Sequence, residues 1–312
     1  MPLSINYDSP NYDSPNYDSP RELRAFLDEH GLGMRKKYGQ NFLVNPAARL
    51  KLIDELEFKS GDEVWEIGSG LGAMTHTLLE RGARVTAFEI DHAFSEILRK
   101  IFEKDTGGAK PGLQILEGDV FKTWPSRVAG EELLLLGNLP YNIAAALLAD
   151  FIEKHRFFKR MVVTVQREVA LRMAAVPGSP DYSSFSVLCS SVYKVSLLNV
   201  IKASSFFPAP RVDSQGVRLD FLSNKQNLPN LFYPLVRALF SSRRKTLKNT
   251  LTAFASSAII NRETSKVLKA PEQAALVLKR AGIEANRRAE TLSVGEFAAL
   301  ALFLEEIKAD EG

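Results

Sequence analysis

Residues 64–75 read VWEIGSGLGAMT, an apolar run that breaks into three glycines and resumes as a helical pattern. Val64 to Ile67 have the composition of a buried strand, and Ala73 onward that of an amphipathic helix. Glycines at 68, 70 and 72 let the backbone turn sharply and come close to a ligand where a Cβ would intervene. A tight turn with no ligand accounts for the same three glycines, so the residues that end the neighbouring strands decide between the two. The next strand, VTAFEID, ends at Glu89 and Ile90, with Glu89 placed to accept hydrogen bonds from the two hydroxyls of a ribose. A third strand, LQILEGD, ends at Asp119 and Val120, and the Asp119 carboxylate is suited to an adenine amino group. Acids ending two successive strands point to a nucleoside-type ligand.

Outward from this stretch, apolar runs alternate with amphipathic ones. Strands are predicted near 63–67, 85–90, 113–117, 133–137, 160–165, 197–201 and 217–221, with helical patterns such as AMTHTLLERG and AFSEILRKIF between them. That alternation predicts an α/β fold, a doubly wound and mostly parallel sheet covered on both faces. After about Asn224 only helical patterns remain: YPLVRALFSSRRKTLKNTLTAF, PEQAALVLKRAG and VGEFAALALFLEEI. The polar link SNKQNLPN (223–230) marks the expected boundary between a domain at 21–224 and a smaller all-α domain at 225–312. Residues 6–20 are three perfect copies of NYDSP. Five residues cannot bury a face, and Pro with Asp and Ser resists helix and sheet alike, so 1–20 reads as a disordered tail. Helical spacing begins in RELRAFLDEHG and closes on Gly31.

The single cysteine, Cys189, rules out an intrachain disulfide and a cysteine-based metal cluster, and no metal is expected. No apolar stretch is long enough to span a membrane, and the first residues lack the pattern of a signal peptide, so a cytoplasmic protein is expected. The net charge of +3 is modest but uneven: from Lys225 onward there are 14 basic and 9 acidic residues. No carboxylate occurs between Asp220 and Glu263, while Arg237, Arg243, Arg244, Lys245 and Lys248 all fall there. Sustained positive potential attracts polyanions; the solvated face of an amphipathic helix is the plainer reading of the same charges. The four histidines, His30, His76, His92 and His155, read as surface or packing residues.

A dinucleotide cofactor shares the sheet, the glycine loop and the acid. The spacing here is GxGxG preceded by Glu66, whereas a pyrophosphate usually sits on GxGxxG with a helix N-terminus aimed at it. S-adenosylmethionine, an adenosine with an amino-acid sulfonium tail and no phosphate, fits the spacing better. The fourth strand carries four leucines, Leu133 to Leu136, and then stops at GNLPYNI (137–143). In an open sheet of this kind ligands sit outside the carboxyl ends of the strands, so these residues belong where a second substrate would lie. An exocyclic amine conjugated to an aromatic ring, such as N6 of adenine, is a poor nucleophile. Two fixed acceptors, the Asn138 side-chain carbonyl and the backbone carbonyl of Leu139 or Pro140, can hold its N–H bonds and strengthen as positive charge develops. Pro140 stiffens that backbone, and Tyr141 can stack on the base. A general base is unnecessary because the methylated ammonium is itself strongly acidic.

With these residues in hand, the sequence closely resembles the KsgA family of small-subunit ribosomal RNA adenine N6,N6-dimethyltransferases, cousins of the Erm enzymes. The resemblance runs from Arg35 to the C-terminus through KKYGQNFL (36–43), EIGSGLGAMT (66–75), FEID (88–91), EGDV (117–120), GNLPYNI, VQREVALRM (165–173), FFPAPRVDS (206–214), FSSRRKTLKNTL (240–251) and RRAETLSVGEF (287–297). It implies a class I S-adenosylmethionine-dependent methyltransferase, Rossmann-like with a seven-stranded sheet, and a helical RNA-binding domain. It also implies that Gln40, Asn41 and Leu43 join Gly68, Gly70, Glu89, Ile90, Asp119, Val120 and Asn138 around the cofactor. Phe206, which alone reads as a core aromatic, is implied to stack on the base opposite Tyr141. Arg243, Arg244, Lys245 and Lys248 would grip RNA phosphates, with Arg35, Lys36 and Lys37 as a second basic patch. The implied substrate is a pair of adjacent adenosines in the 3′-terminal stem-loop of 16S rRNA within an assembling small subunit, modified by a monomer. Ser69 stands where many relatives have proline, and DTGGAKPG (105–112) looks like a mild insertion. Competing readings are an Erm-like enzyme acting on 23S rRNA, a non-catalytic nucleic-acid-binding assembly or transcription factor of the same fold, and a dehydrogenase.

Overall fold

The protein is described by a computed structural model over residues 14–35, 38–104, 112–126, 132–222, 228–259 and 269–310. Lys36, Lys37, most of the 105–112 loop and the first two NYDSP copies up to residue 13 lie outside the described residues. The strands are β1 (Phe42–Leu43), β2 (Glu63–Ile67), β3 (Arg84–Glu89), β4 (Leu113–Glu117), β5 (Leu134–Asn138), β6 (Arg160–Gln166), β7 (Tyr193–Ile201), β8 (Phe206–Phe207) and β9 (Ser214–Phe221). Seven of them form one sheet in the order β4-β3-β2-β5-β6-β9-β7, within which β4, β3, β2, β5 and β6 are parallel neighbours. The mostly apolar character of β2 and β5 follows from burial on both faces: Val64 through Ile67, Glu66 among them, and Leu134 through Leu136 are all buried. Trp65 packs between Phe88 and Phe158, with ring centroids 5.0 and 5.6 Å away.

This strand order decides where a ligand can go. From β2 the chain steps outward to β3 and β4, then returns to the other side of β2 as β5. The crossovers leave in opposite directions from β2 and β5, opening a crevice at their carboxyl ends. Ile67 lies opposite Gly137 in register, so the glycine loop and GNLPYNI face one another across that crevice.

Two expectations need correction. First, the tail is not featureless up to residue 20. Ser19 caps the helix Pro20–Glu29 through the Glu22 amide, the Tyr17 hydroxyl donates to the Leu71 carbonyl at 2.8 Å, and Asp18 pairs with Arg49 at 2.6 Å. Composition weighed the repeat alone and could not see the partners that the rest of the chain supplies. Second, YPLVRALFSSRRKTLKNTLTAF is two helices, Phe232–Phe240 and Leu247–Ile259, not one. Between them Ser241 turns its hydroxyl back onto the Ala238 carbonyl, and the amides of Leu247 and Lys248 are claimed by the Arg287 and Ala285 carbonyls. The strands β1 and β8, too short to show periodicity, pair antiparallel as Phe42 with Phe207 and Leu43 with Phe206.

The chain divides into two compact units. The first comprises 1–147, 157–167 and 197–219, and the second 148–156, 168–196 and 220–312. The division is discontinuous where a single cut near 224 was expected. Within the second unit Tyr182 and Val187 join Phe232, Leu235, Phe297 and Leu300 in a helical core, and the Tyr182 hydroxyl donates to the Leu292 carbonyl at 2.8 Å. Buried side chains, rather than the polar link, set the membership.

Candidate active site

The crevice at the ends of β2 and β5 holds a cavity that opens to solvent. Its floor is the glycine loop. Gly70 has a φ of +56°, and a Cβ there would fall 2.9 Å from the Phe42 ring, so any side chain would displace the β1 wall. The Gly70 amide donates to Glu89 Oε2 and the Asp91 amide to Glu89 Oε1, both at 2.8 Å. Each Glu89 oxygen therefore keeps a lone pair while the carboxylate is held still. Burial pushes the Glu89 carboxyl up to about 6, against the lowering effect of the Asp91, Gly70 and Ile90 amides.

Beneath the loop lies Glu66, fully buried on β2. Its Oε2 accepts from the Thr75 hydroxyl at 2.6 Å, and its Oε1 has no partner among the described residues. Burial raises its carboxyl to about 8. An orphaned carboxylate oxygen against a cavity wall calls for a cationic donor.

The opposite wall is GNLPYNI. Asn138 is locked at both ends: its Nδ2–H donates to the Asn41 carbonyl at 2.7 Å, and its Oδ1 accepts from the Thr164 hydroxyl at 2.5 Å. The network leaves one Oδ1 lone pair and fixes which end of the amide is the acceptor. The Leu139 and Pro140 carbonyls differ in how they are engaged. Pro140 accepts the Ile143 and Ala144 amides at the start of the next helix, whereas among the described residues no donor reaches the Leu139 carbonyl. Leu139 itself is anchored by its amide on the Thr164 carbonyl and by a buried side chain.

The cavity thus brings together Gln40, Asn41, Leu43, Gly68, Gly70, Glu89, Ile90, Asn138 and Pro140 of the predicted residues. It does not include Asp119 and Val120: Asp119 turns its Oδ1 onto the Phe121 amide to cap a short helix, and Val120 is buried. Tyr141 is half-buried, with its hydroxyl 2.6 Å from the Ser214 hydroxyl. Phe206 is a correction, because it is 3% exposed and has no open face for a base. Pairing with Leu43 across the β1–β8 ladder puts it in the core beside Val44 and Ile201. Arg35 is not a free cation either; its guanidinium lies 3.5 Å from Asp91, to which Gln40 also donates. In the second unit Arg243 is exposed but pairs with Glu290 at 3.2 Å, while Arg244, Lys245 and Lys248 are exposed with no ion-pair partner among the described residues.

Sequence reasoning missed Thr164, Tyr17, Arg49 and the cavity-facing role of Glu66. Thr164 had a signal, a lone hydroxyl in the apolar strand RMVVTVQ, since a buried hydroxyl needs a partner. Arg49 had none.

The chain matches the family model described as ribosomal RNA adenine dimethylase over residues 31–306. The chain belongs to the ribosomal RNA adenine dimethylase family. A Treponema denticola protein named ribosomal RNA small subunit methyltransferase A is 43% identical over 299 residues, covering 95% of this chain and 94% of that protein. A crystal structure titled as a dimethyladenosine transferase from Plasmodium falciparum superposes with a TM-score of 0.72 at 26% identity, covering 85% of this chain and 97% of that one. The 23S rRNA methyltransferase ErmE superposes with a TM-score of 0.59 at 20% identity, over 84% of this chain and 99% of that one, a likeness of fold. The adenine dimethylase is therefore an S-adenosylmethionine-dependent methyltransferase of the class I, Rossmann-like fold.

The residues present fit that cofactor. Glu89 can accept from two ribose hydroxyls, Ile90 offers an exposed apolar face, and the unpartnered Glu66 oxygen suits the ammonium of the amino-acid tail. A cation beside Glu66 lowers its pKa, so cofactor binding near neutral pH is expected to release a proton. The free dimethylase should lose stability as pH rises from about 4.5 to about 8, because the unfolded carboxylate ionises while the folded one keeps its proton, and should level off above that. Glu66→Gln should flatten that slope, weaken cofactor binding and abolish the proton release. Calorimetric titration in buffers of differing ionisation enthalpy measures the release, and an unchanged value in the variant would remove Glu66 from the site.

Proposed function

We propose that the dimethylase converts two adjacent adenosines of the small-subunit rRNA, near its 3′ end, to N6,N6-dimethyladenosine within an assembling subunit. We further propose that it acts as a cytoplasmic monomer. The observation that carries this is Asn138, which lines the cavity with its Oδ1 oriented by Thr164 and is followed directly by a Leu139 carbonyl that no donor reaches among the described residues. When bound, S-adenosylmethionine supplies an electrophilic methyl carbon on a sulfonium. The two acceptors hold the N–H bonds of the adenine amino group and favour a pyramidal nitrogen whose lone pair faces that carbon. They gain strength as the nitrogen becomes positive. After the first transfer one N–H remains, and one acceptor suffices to orient it. The proton leaves to water, because an arylammonium is acidic. Tyr141, anchored on Ser214, supports the stacked base. A single-stranded loop suits this pocket, since its bases splay out at little cost.

The small-subunit assignment is supported by the name of the Treponema relative and by the basic segment 243–248. Among the described residues no helix is long and apolar enough to cross a membrane, which accords with a cytoplasmic site of action. Mass spectrometry of 16S and 23S rRNA from cells with and without the gene tests the proposal. Loss of two dimethyladenosines from 16S is expected. A change confined to 23S would favour the Erm-like reading, and no change in either would favour a binding factor.

A further inference from the structure

We infer that the third NYDSP copy, residues 16–20, is a strap on the cofactor pocket, a positioning element that sets affinity for S-adenosylmethionine. The inference rests on the assignment of the crevice as the cofactor site. Three contacts carry it, each reaching a different part of the wall. The Tyr17 side chain lines the cavity, and its hydroxyl donates to the Leu71 carbonyl, in the glycine loop between Gly70 and Gly72. Asp18 pairs with Arg49 at 2.6 Å, and Arg49, 6% exposed, passes the connection on by donating to the Leu43 carbonyl at 3.0 Å. Ser19 and Pro20 then open the helix Pro20–Glu29, whose Leu23 also lines the cavity. Tyr, Asp, Ser and Pro of one copy thus tie the glycine loop to the 41–43 wall, the two surfaces between which the cofactor must sit.

A buried guanidinium makes the arrangement specific. Arg49 is nearly out of solvent, and a buried charge without its partner is costly, so Asp18 holds Arg49 in the one geometry that also supports Leu43. The Tyr17 bond acts on the loop whose Gly70 amide fixes Glu89. Loss of the strap should therefore loosen the cofactor site without touching the acceptors at Asn138 and Leu139.

The repetition supplies the test. Deleting any two copies leaves one NYDSP joined to Arg21, with Tyr, Asp, Ser and Pro at unchanged distances from the helix. That single-copy protein should bind S-adenosylmethionine as the full chain does. Tyr17→Phe, which removes only the hydroxyl, should raise the dissociation constant roughly 2- to 10-fold, the usual range for removing one hydrogen bond. Tyr17→Ala should raise it further. In both point variants KM for S-adenosylmethionine should rise by a larger factor than kcat at saturating cofactor falls. Glu89→Ala serves as the reference for the pocket. If it abolishes binding while Tyr17→Ala binds normally, the strap is wrong and the pocket stands; if it binds normally, the pocket assignment and the strap fall together. Equal loss in the single-copy protein and in Tyr17→Ala would also overturn the inference, since the third copy would not then be the element responsible.

Discussion

Asn138→Ala is expected to reduce kcat about 10²- to 10³-fold, the loss seen when one preorganised transition-state hydrogen bond is removed, while S-adenosylmethionine affinity changes by no more than a few fold. The selectivity follows from timing. The Oδ1 lone pair meets a neutral amino group in the ground state and a developing ammonium in the transition state, so most of its effect appears in turnover. The modest change in affinity arises because Nδ2 also ties the Asn41 carbonyl on the cofactor wall. Thr164→Val should act through the same amide. The substitution keeps the shape but deletes the hydroxyl that holds Oδ1, so kcat should fall in the same direction by a smaller factor with KM for cofactor unmoved. Single-turnover methyl transfer to RNA, alongside equilibrium cofactor binding, measures both variants. Undiminished transfer by Asn138→Ala would remove the amide from the mechanism.

Replacing Arg244, Lys245 and Lys248 together by alanine should produce the second large effect, on RNA binding. Each phosphate no longer neutralised takes about 0.7 to 0.9 from the slope of log K against log salt, so three of them should flatten it by roughly 2 to 3 and weaken binding most at low salt. Arg243 is left in place because Glu290 and the Pro180 carbonyl already engage it; its removal would confound stability with binding. Cofactor affinity should be unaffected. Affinity titrations of an rRNA fragment across a salt series provide the check, and an unaltered slope would move the phosphate contacts to other residues.

The plan of the sheet was legible because it depends on local pattern. Short runs such as VWEI and LLLL, bounded by turn signals, read as strands buried in the sheet, and their alternation with amphipathic stretches leaves few topologies. The glycine loop, Glu89 and Asn138 were legible for a related reason: each ends a strand, and strand ends in such a sheet converge on one crevice. The two-residue strands β1 and β8 left no trace, since two residues have no period. Their pairing put Phe206 in the core, as its own apolar character had suggested before family resemblance argued otherwise. The break at residues 241–246 was hidden in the same way, because the amides that restart the helix bond to carbonyls some 40 residues further on.

Sequence alone determined the chemistry available to this protein: a nucleoside-type cofactor over a glycine loop, and an amide with a neighbouring carbonyl at the end of the adjacent strand. Tertiary structure decided which atoms remain free to act. Thr164 and Asn41 orient the Asn138 amide, two helix amides occupy Pro140 and leave Leu139 open, and Asp91 takes Arg35. Tyr17 and Asp18 turn part of an apparently featureless repeat into a wall of the pocket. The physical reason is that residue type fixes what a group can donate or accept, whereas its vacancy depends on partners that the chain brings from tens of residues away.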